Sequence, residues 1–243
     1  MLHHILLDHQ AKKVLSLAQQ DLVPLLEEFS QTHFLAGWTA VALWIGQRES
    51  IDFDFFSRGS QWSFASFVEK IGAYWFDVSR EDKDRYAGAE FEPQDEIHVT
   101  ISGVRMSLMD VSRTLYSYQE ICITGEDTIL NALSIASPIE LLCMKLYAMI
   151  TRKKWKDAVD VYFLLHHLSI PLEEALTLAA KKYYIRIFNP LAVLEQLIAM
   201  DWDMSEAVNY LIENPPSDLS VAEWLRDEAI RVLAEYTDEN GIL

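Results

Sequence analysis

The segment FLAGWTAVALWIGQRESIDFDFFS, residues 34–57, decides the fold prediction because its hydrophobic pattern changes twice. A short apolar run enters Gly37 and predicts a strand. Residues 39–45 then place small and apolar side chains at helical spacing, and Gly46 is a typical helix stop. The predicted order is therefore a strand, a glycine turn and a short helix.

Residues 51–56, Ile-Asp-Phe-Asp-Phe-Phe, alternate apolar and acidic side chains, as a half-buried strand does. Side chains two residues apart on a strand point to the same face. We therefore expect the apolar side chains, beginning with Ile51, to face a core, and Asp52 and Asp54 to lie together on the other face.

Further elements surround this centre in the first half of the chain. Residues 10–29 and 63–78 have the spacing of amphipathic helices. Two alternating runs, 97–101 and 104–109, flank Ser102-Gly103, a pair that suits a tight hairpin turn. These patterns predict a small mixed sheet with flanking helices, an α+β arrangement.

The second half of the chain predicts a helical region. Ser137, Pro138 and Glu140 combine an N-cap serine, a proline at the first helical position and a glutamate three residues after the cap. Apolar spacing and prolines then predict helices at about 138–152, 154–167, 172–187, 190–200, 204–213 and 218–236. The predicted domains are an α/β core at 1–136 and a helical region at 137–243.

Composition restricts the class of protein. The 243-residue chain is 51% hydrophobic, enough for a buried core, and its 37 acidic and 20 basic residues give a net charge of −17. That charge repels phosphate backbones at long range and disfavours general nucleic-acid binding. No signal-peptide pattern and no bilayer-spanning apolar stretch occur, and the two cysteines, Cys122 and Cys143, are isolated. We therefore expect a cytoplasmic protein with no membrane contact and no disulfide partner.

The paired aspartates point to metal chemistry. Two carboxylates a few ångströms apart repel each other unless a cation lies between them, and Mg²⁺ (or Mn²⁺) prefers carboxylate and phosphate oxygens. An isolated Asp-x-Asp also occurs on ordinary solvent-facing strands, so the preceding residues matter. Backbone N–H groups at the helix beginning after Gly37, and the Thr39 hydroxyl, are suited to hold phosphate oxygens that face such a metal.

Two blocks of residues occur in an order that is typical of one protein family. The first block comprises Leu35, Ala36, Gly37, Thr39, Gly46, Arg48, Ser50, Asp52, Asp54, Phe55 and Phe56. The second comprises Lys145, Leu146, Ala148, Arg152, Lys156, Asp157 and Asp160. Together they span residues 34–165 and resemble the AbiEii/AbiGii-type nucleotidyltransferase-like proteins of bacterial toxin–antitoxin and abortive-infection systems.

The resemblance implies a nucleotidyltransferase-like fold and a set of site residues. It implies that Asp52 and Asp54 bind the metal and that Lys145 and Arg152 neutralise phosphate charge, all four being catalytic. It implies a substrate-binding role for a further group of residues, which are Gly37, Thr39, Arg48, Ser50, Lys156 and Asp157.

The chain departs from the family pattern at two positions and lacks one expected group. Trp38 stands where the second glycine of the phosphate cradle is usual, and Gln47 stands where histidine is common. Active polymerase-type sites carry a third carboxylate on a neighbouring strand. Asp110, at the end of the second hairpin strand, falls on the same side as the apolar residues of that strand. Ser107 occupies the polar side, so the sequence shows no clear third carboxylate.

The basic residues of the second block have two interpretations. Lys145, Arg152 and Lys156 lie seven and then four residues apart, so an unbroken helix would bring them near one face. They would then bind triphosphate oxygens and the leaving pyrophosphate. In the alternative, Lys156 pairs with Asp160 at i,i+4 and the other two face water.

The sequence thus predicts a metal-dependent nucleotidyltransferase that moves a nucleotide from a nucleoside triphosphate to an RNA or protein acceptor. The family resemblance adds a toxin–antitoxin setting, with an antitoxin protein as partner. The main alternative is a degenerate relative that kept the fold, lost the third acid and binds a partner.

Overall fold

The computed structural model describes residues 11–29, 32–57, 78–80, 96–109, 127–130, 133–183, 188–205 and 207–240. The chain divides into two compact units, Met1–Ser137 and Pro138–Leu243. The helix predicted at 63–78 falls, except for its last residue, outside the described residues. Within the described ranges, no helix is both long enough and apolar enough to cross a membrane.

The first unit contains a mixed sheet with helices beside it. Its elements are α1 (Leu17–Phe29), β1 (His33–Ala36), α2 (Gly37–Ile45), β2 (Asp52–Ser57), β3 (Val78–Arg80), β4 (Glu96–Ile101), β5 (Val104–Met109), β6 (Asp127–Leu130) and β7 (Leu133–Ala136). The described strands follow the order β3-β4-β5-β2-β1-β7-β6. β2 is antiparallel to β1 and parallel to β5, and β1 is parallel to β7. The predicted α+β fold is confirmed.

Apolar side chains of β2 form the centre of this unit's core. Phe53 and Phe55 are buried, as the alternating pattern predicts. The prediction for Ile51 is wrong, because 59% of this residue is exposed. β2 begins at Asp52, which is also the first residue that pairs with β5. Ile51 lies before the strand, so strand pairing does not place its side chain on the buried face.

The predicted hairpin is formed by β4 and β5, which pair from Ile101 and Val104 outward. Ser102 and Gly103 have φ angles of 50° and 81°. Two consecutive residues with positive φ form the turn type whose twist matches that of paired strands. The second described hairpin, β6–β7, was not predicted from the sequence.

The second unit is helical. Its helices are α3 (Pro138–Thr151), α4 (Trp155–Leu168), α5 (Leu172–Tyr183), α6 (Pro190–Ala199) and α7 (Asp218–Asn240). The helix predicted at 204–213 is wrong, because the described residues of that range are not helical. The preceding residue Asp203 exchanges backbone hydrogen bonds with the α3–α4 connection, from Asp203 N to Lys153 O (2.7 Å) and from Trp155 N to Asp203 O (3.2 Å). This pairing holds the chain in an extended conformation there.

The Cys143 thiol on α3 is predicted to be unreactive in the folded protein. Desolvation by burial raises its pKa to about 12, and a backbone hydrogen bond opposes this only in part. The thiolate is the reacting form, so at pH 8 very little of it is present. In a Cys122→Ser variant, we expect a disulfide reagent such as Ellman's to react only after denaturant is added. Rapid reaction of the folded variant would contradict the buried position of this thiol.

Candidate functional site

The turn from β1 into α2 is the structural centre of the candidate site. Gly37 makes this turn with a φ of +63°, a conformation that glycine adopts without strain. At the other end of α2, Gly46 has a φ of 73° and donates its N–H to Ala42 O (2.7 Å). β2 then returns beside β1 with Asp54 opposite Ala36. The beginning of α2 is therefore adjacent to the strand that carries the aspartates.

Gly37 and the Asp54 carboxylate are in close contact. A Cβ atom on residue 37 would lie 2.9 Å from both Cβ and Cγ of Asp54, and closer still to Oδ2. Such distances are too short for any real side chain. Only glycine lets the backbone at the start of α2 approach Asp54 in this way, so the turn and the carboxylate form one structural feature.

Asp52 and Asp54 share a face of β2, as predicted. Both side chains are partly exposed, whereas the intervening Phe53 and the following Phe55 are almost fully buried. The phenyl rings of these two residues lie 6.1 Å apart, centroid to centroid. The aromatic face anchors the strand in the core, and both aspartates lie on the opposite face, which we call the open face although Asp52 Oδ1 is buried there.

A network of hydroxyl groups joins α2 to the beginning of β2. The Thr39 hydroxyl donates to the backbone carbonyl of Asp52 and lies 2.5 Å from Ser50 Oγ. Gln19 Nε2 donates to Ser50 Oγ from α1 (2.6 Å). Thr39 and Ser50 are both buried. Their hydroxyls thus position Asp52, and a phosphate would compete with these hydrogen bonds for the Thr39 hydroxyl.

Trp38, the residue in place of the usual glycine, contacts Arg48. The Arg48 guanidinium carbon lies 4.6 Å from the centroid of the indole ring, a cation–π distance. Arg48 is buried although it carries a charge. The indole therefore packs over Arg48 at the start of α2. A glycine, which is usual at this position in the family, would have no side chain here.

The strand register brings four further side chains to the face of the aspartates. Arg105 and Ser107 of β5 lie opposite Asp52 and Asp54. Thr100 and His98 of β4 lie opposite Arg105 and Ser107 in turn. Of these four residues, only Ser107 was predicted from the sequence to lie on a polar face. Arg105 and His98 were not predicted. Both alternate with the apolar residues of their strands, and this alternation could have placed them on the polar face.

A second group of predicted residues comes together within the helical unit. Lys145 Nζ lies 3.0 Å from Asp157 Oδ1 and 2.8 Å from Asp160 Oδ2. Arg152 donates from Nε to Asp157 Oδ2 (2.8 Å) and from Nη2 to Oδ1 (3.1 Å). Lys145 and both carboxylates are buried, whereas 53% of the Arg152 side chain is exposed. We call Lys145, Arg152, Asp157 and Asp160 the ion-pair cluster.

The geometry of this cluster differs from the predicted basic face. α3 ends at Thr151 and α4 begins at Trp155, so no unbroken helix carries Lys145, Arg152 and Lys156. Lys145 and Arg152 meet because both bind Asp157. Lys156 is buried on α4.

The charge balance of the cluster appears in the pKa of Asp157. Burial would raise this pKa, but Coulombic attraction to Lys145 and Arg152, together with their hydrogen bonds, outweighs burial and lowers it. Asp157 is therefore a carboxylate kept ionised in the protein interior by two cations.

The residues on the open face of β2 fit a divalent cation. Two carboxylates on one strand face supply oxygen ligands, and Mg²⁺ typically takes one or two carboxylates and completes its shell with water and phosphate oxygens. The Asp54 side chain occupies the space that a Cβ of residue 37 would fill, so its carboxylate lies directly beside the backbone at the start of α2. Within the described ranges, no group of three or more His, Cys, Asp or Glu side chains is arranged to hold a metal. Asp110, the other acid considered, falls outside those ranges.

The mixed sheet, the glycine turn and the paired carboxylates define a protein of the nucleotidyltransferase-like class. The model of a family described as nucleotidyl transferase AbiEii toxin, type IV toxin–antitoxin system, matches residues 24–227. The chain belongs to this AbiEii family, which confirms the resemblance seen in the sequence.

Three individual proteins are similar to this chain in sequence or in structure. An uncharacterized protein of Aquifex aeolicus is 30% identical over 151 residues, covering 62% of this chain and 66% of that protein. A proposed nucleotidyltransferase from Helicobacter pylori superimposes with a TM-score of 0.50 at 16% identity, covering 90% of this chain and 94% of the other. JHP933, also from Helicobacter pylori, is 15% identical with a TM-score of 0.49, covering 93% and 97% of the two chains.

Proposed function

We propose that this protein transfers a nucleotide from a nucleoside triphosphate to a hydroxyl group of an RNA or protein acceptor, with Mg²⁺ at Asp52 and Asp54. The observation that carries the proposal is the contact between Gly37 and Asp54, because it joins a helix beginning, where phosphates bind, to a carboxylate pair. A cation bound there neutralises triphosphate charge and stabilises the leaving pyrophosphate.

The remaining residues of the first unit have supporting roles in this proposal. The backbone N–H groups at the start of α2 bind phosphate oxygens. Thr39 and Ser50 hold the beginning of β2 through the hydroxyl network, so that Asp52 keeps its orientation. Arg105 is exposed on the same face and opposite Asp52, where a guanidinium can bind a phosphate group.

The ion-pair cluster of the helical unit has a phosphate-binding role in this proposal, which the family resemblance implies for Lys145 and Arg152. Arg152 is held by Asp157 yet half exposed, so its guanidinium is oriented in advance for a phosphate oxygen. Lys145 is buried against Asp157 and Asp160, and we assign it the task of keeping these carboxylates and Arg152 in place.

An antitoxin protein is the partner that the family implies. The net charge of −17 favours a partner with a basic surface. Such charge complementarity raises the rate of association and makes it sensitive to salt.

The proposal predicts thermal stabilisation by a magnesium–nucleotide complex. Scanning calorimetry with Mg²⁺ and each nucleoside triphosphate in its non-transferable α,β-methylene form should show a higher Tm for at least one nucleotide. A ligand at about 100 times its Kd stabilises the folded state by about 2.7 kcal/mol. The Asp52→Asn/Asp54→Asn variant should lose this shift, because both metal ligands lose their charge.

The chain offers a matched control in a second Asp-x-Asp, at Asp201 and Asp203. Both side chains are well exposed and pair with surface lysines. The Asp201→Asn/Asp203→Asn variant should keep the nucleotide-dependent shift. Loss of the shift in both variants would show a general charge effect and no site at β2.

A second candidate function is partner binding without catalysis. It is favoured by Trp38, whose indole packs on Arg48 at the phosphate cradle, and by the engaged hydroxyls of Thr39 and Ser50. If no triphosphate shifts the Tm of the wild-type protein with either Mg²⁺ or Mn²⁺, the enzymatic proposal is wrong and this function replaces it.

A further inference from the structure

A serine and a histidine continue the polar face from Asp54 across the sheet. Asp54 of β2, Ser107 of β5 and His98 of β4 are successive register partners, so their side chains point to the same face. Neighbouring strands lie about 4.8 Å apart. We call these three residues the Asp54–Ser107–His98 row.

Ser107 and His98 are in direct contact. The distance from His98 Nδ1 to Ser107 Oγ is 3.1 Å, that of a hydrogen bond. Both side chains are only partly buried, unlike their neighbours Met106 and Leu108, so a ligand on this face can reach them. When His98 carries its ring proton on Nε2, the Ser107 hydroxyl donates to Nδ1.

This arrangement supplies what a serine needs to act as a nucleophile. A serine hydroxyl is a weak nucleophile and requires an adjacent base to accept its proton. His98, on one side of Ser107, occupies the position of such a base. Asp54 lies on the other side of Ser107, on β2. Ser107 is therefore the hydroxyl of the described face that lies next to both a base and a proposed metal ligand.

We propose that Ser107 is a nucleotide acceptor, so that the protein nucleotidylates itself at this residue; this rests on the proposed function. Ser107 Oγ attacks the α-phosphorus of a bound nucleoside triphosphate while its proton passes to His98 Nδ1. The bond from the α-phosphorus to the bridging oxygen breaks, and pyrophosphate leaves with the electron pair. The product is a phosphodiester between Ser107 Oγ and the nucleoside monophosphate.

The modification has a consequence for the site itself. A nucleotide attached to Ser107 lies beside Asp54 and fills the space in which a second triphosphate would bind. The modified protein therefore loses the thermal shift with Mg²⁺ and a nucleotide, and self-nucleotidylation switches the site off.

The test follows label from nucleoside triphosphates labelled at the α-phosphorus into the denatured protein. Wild-type protein with Mg²⁺ should retain α-label and no γ-label, and mass mapping should place the nucleotide on the peptide containing residues 104–109. Ser107→Ala should retain no label. Thr100→Ala, a hydroxyl deletion on the same face, should be labelled like the wild type.

Two further variants separate the chemistry from folding. Ser107→Thr keeps a hydroxyl and should retain measurable labelling even if the rate falls. His98→Asn keeps a hydrogen-bonding side chain but no base, and should label about 10²–10⁴-fold more slowly. The Tm of each variant without nucleotide shows that it is folded.

The outcomes distinguish this inference from the proposed function. If a non-transferable α,β-methylene triphosphate raises the Tm but α-labelled nucleotide gives no protein label, Ser107 is not an acceptor and nucleotide binding stands. Label on a residue other than Ser107, or persisting in Ser107→Ala, also overturns the inference. If neither a Tm shift nor label is seen, the proposed function fails, and the inference fails with it.

Discussion

Replacement of Lys145 by methionine is expected to lower the free energy of unfolding by about 3–5 kcal/mol, the usual effect of removing one partner from a buried ion pair. The Lys145 ammonium lies within 3.0 Å of carboxylate oxygens of both Asp157 and Asp160, and all three side chains are buried. Methionine occupies a similar volume but carries no charge, so two buried carboxylates lose their shared cation. Urea denaturation followed by far-ultraviolet circular dichroism measures the change.

Lys153→Met is the matched control for this variant. Lys153 also pairs with an aspartate, Asp201, at 2.6 Å, but both side chains are more than half exposed. Exposed pairs contribute about 0–1 kcal/mol, so this variant should unfold almost like the wild type. Equal losses in the two variants would show that burial of the ion-pair cluster has no special effect on stability.

The Lys145→Met variant should also differ from the wild type in how its stability depends on acidic pH. The pKa of Asp157 lies below its ordinary value of 3.8 because its two cations outweigh burial. A carboxylate with a lowered pKa stabilises the folded state above that ordinary value, and this contribution is lost as the pH falls through the lower folded value. Without Lys145, burial acts against fewer opposing charges, so the Asp157 pKa rises and the unfolding free energy should depend less on pH as the pH falls below the ordinary value of 3.8.

Replacement of Gly37 by alanine is expected to destabilise the protein and to abolish the nucleotide-dependent thermal shift. The positive φ of +63° costs an L-residue about 1–2 kcal/mol. The added Cβ also overlaps the Asp54 carboxylate, and relieving such overpacking typically costs a further 1–3 kcal/mol. The relief must move Asp54 or the start of α2, which are the two parts of the proposed metal and phosphate site.

Gly103→Ala separates these two effects. Gly103 has a φ of +81°, but an added Cβ would meet nothing within 4 Å. This variant should therefore show only the backbone cost and keep the thermal shift with Mg²⁺ and nucleotide. A Gly37→Ala protein that still binds the nucleotide like the wild type would contradict the role of the Gly37–Asp54 contact.

Local pattern was sufficient where neighbouring residues along the chain decide the structure. The alternation at residues 51–56 placed Phe53 in the core and both aspartates on the open face, and Ser102-Gly103 predicted the observed turn. The segment 204–213 shows the limit of such reasoning. Its spacing favours a helix, but the described residues of this range are not helical, and the preceding Asp203 forms backbone hydrogen bonds with Lys153 and Trp155, about fifty residues earlier.

The sequence by itself determined the family, the order of strand, glycine turn, helix and strand, and the pair Asp52 and Asp54, because these depend on spacing along a few residues. Only the tertiary structure decided which distant side chains join them. The Ser102-Gly103 turn places His98 opposite Ser107, but only the parallel pairing of β5 with β2 brought these two residues into line with Asp54. The end of α3 at Thr151 let Lys145 and Arg152 converge on Asp157. The pairing of strands that are distant in the chain depends on packing of the whole unit, which periodicity in one segment does not encode.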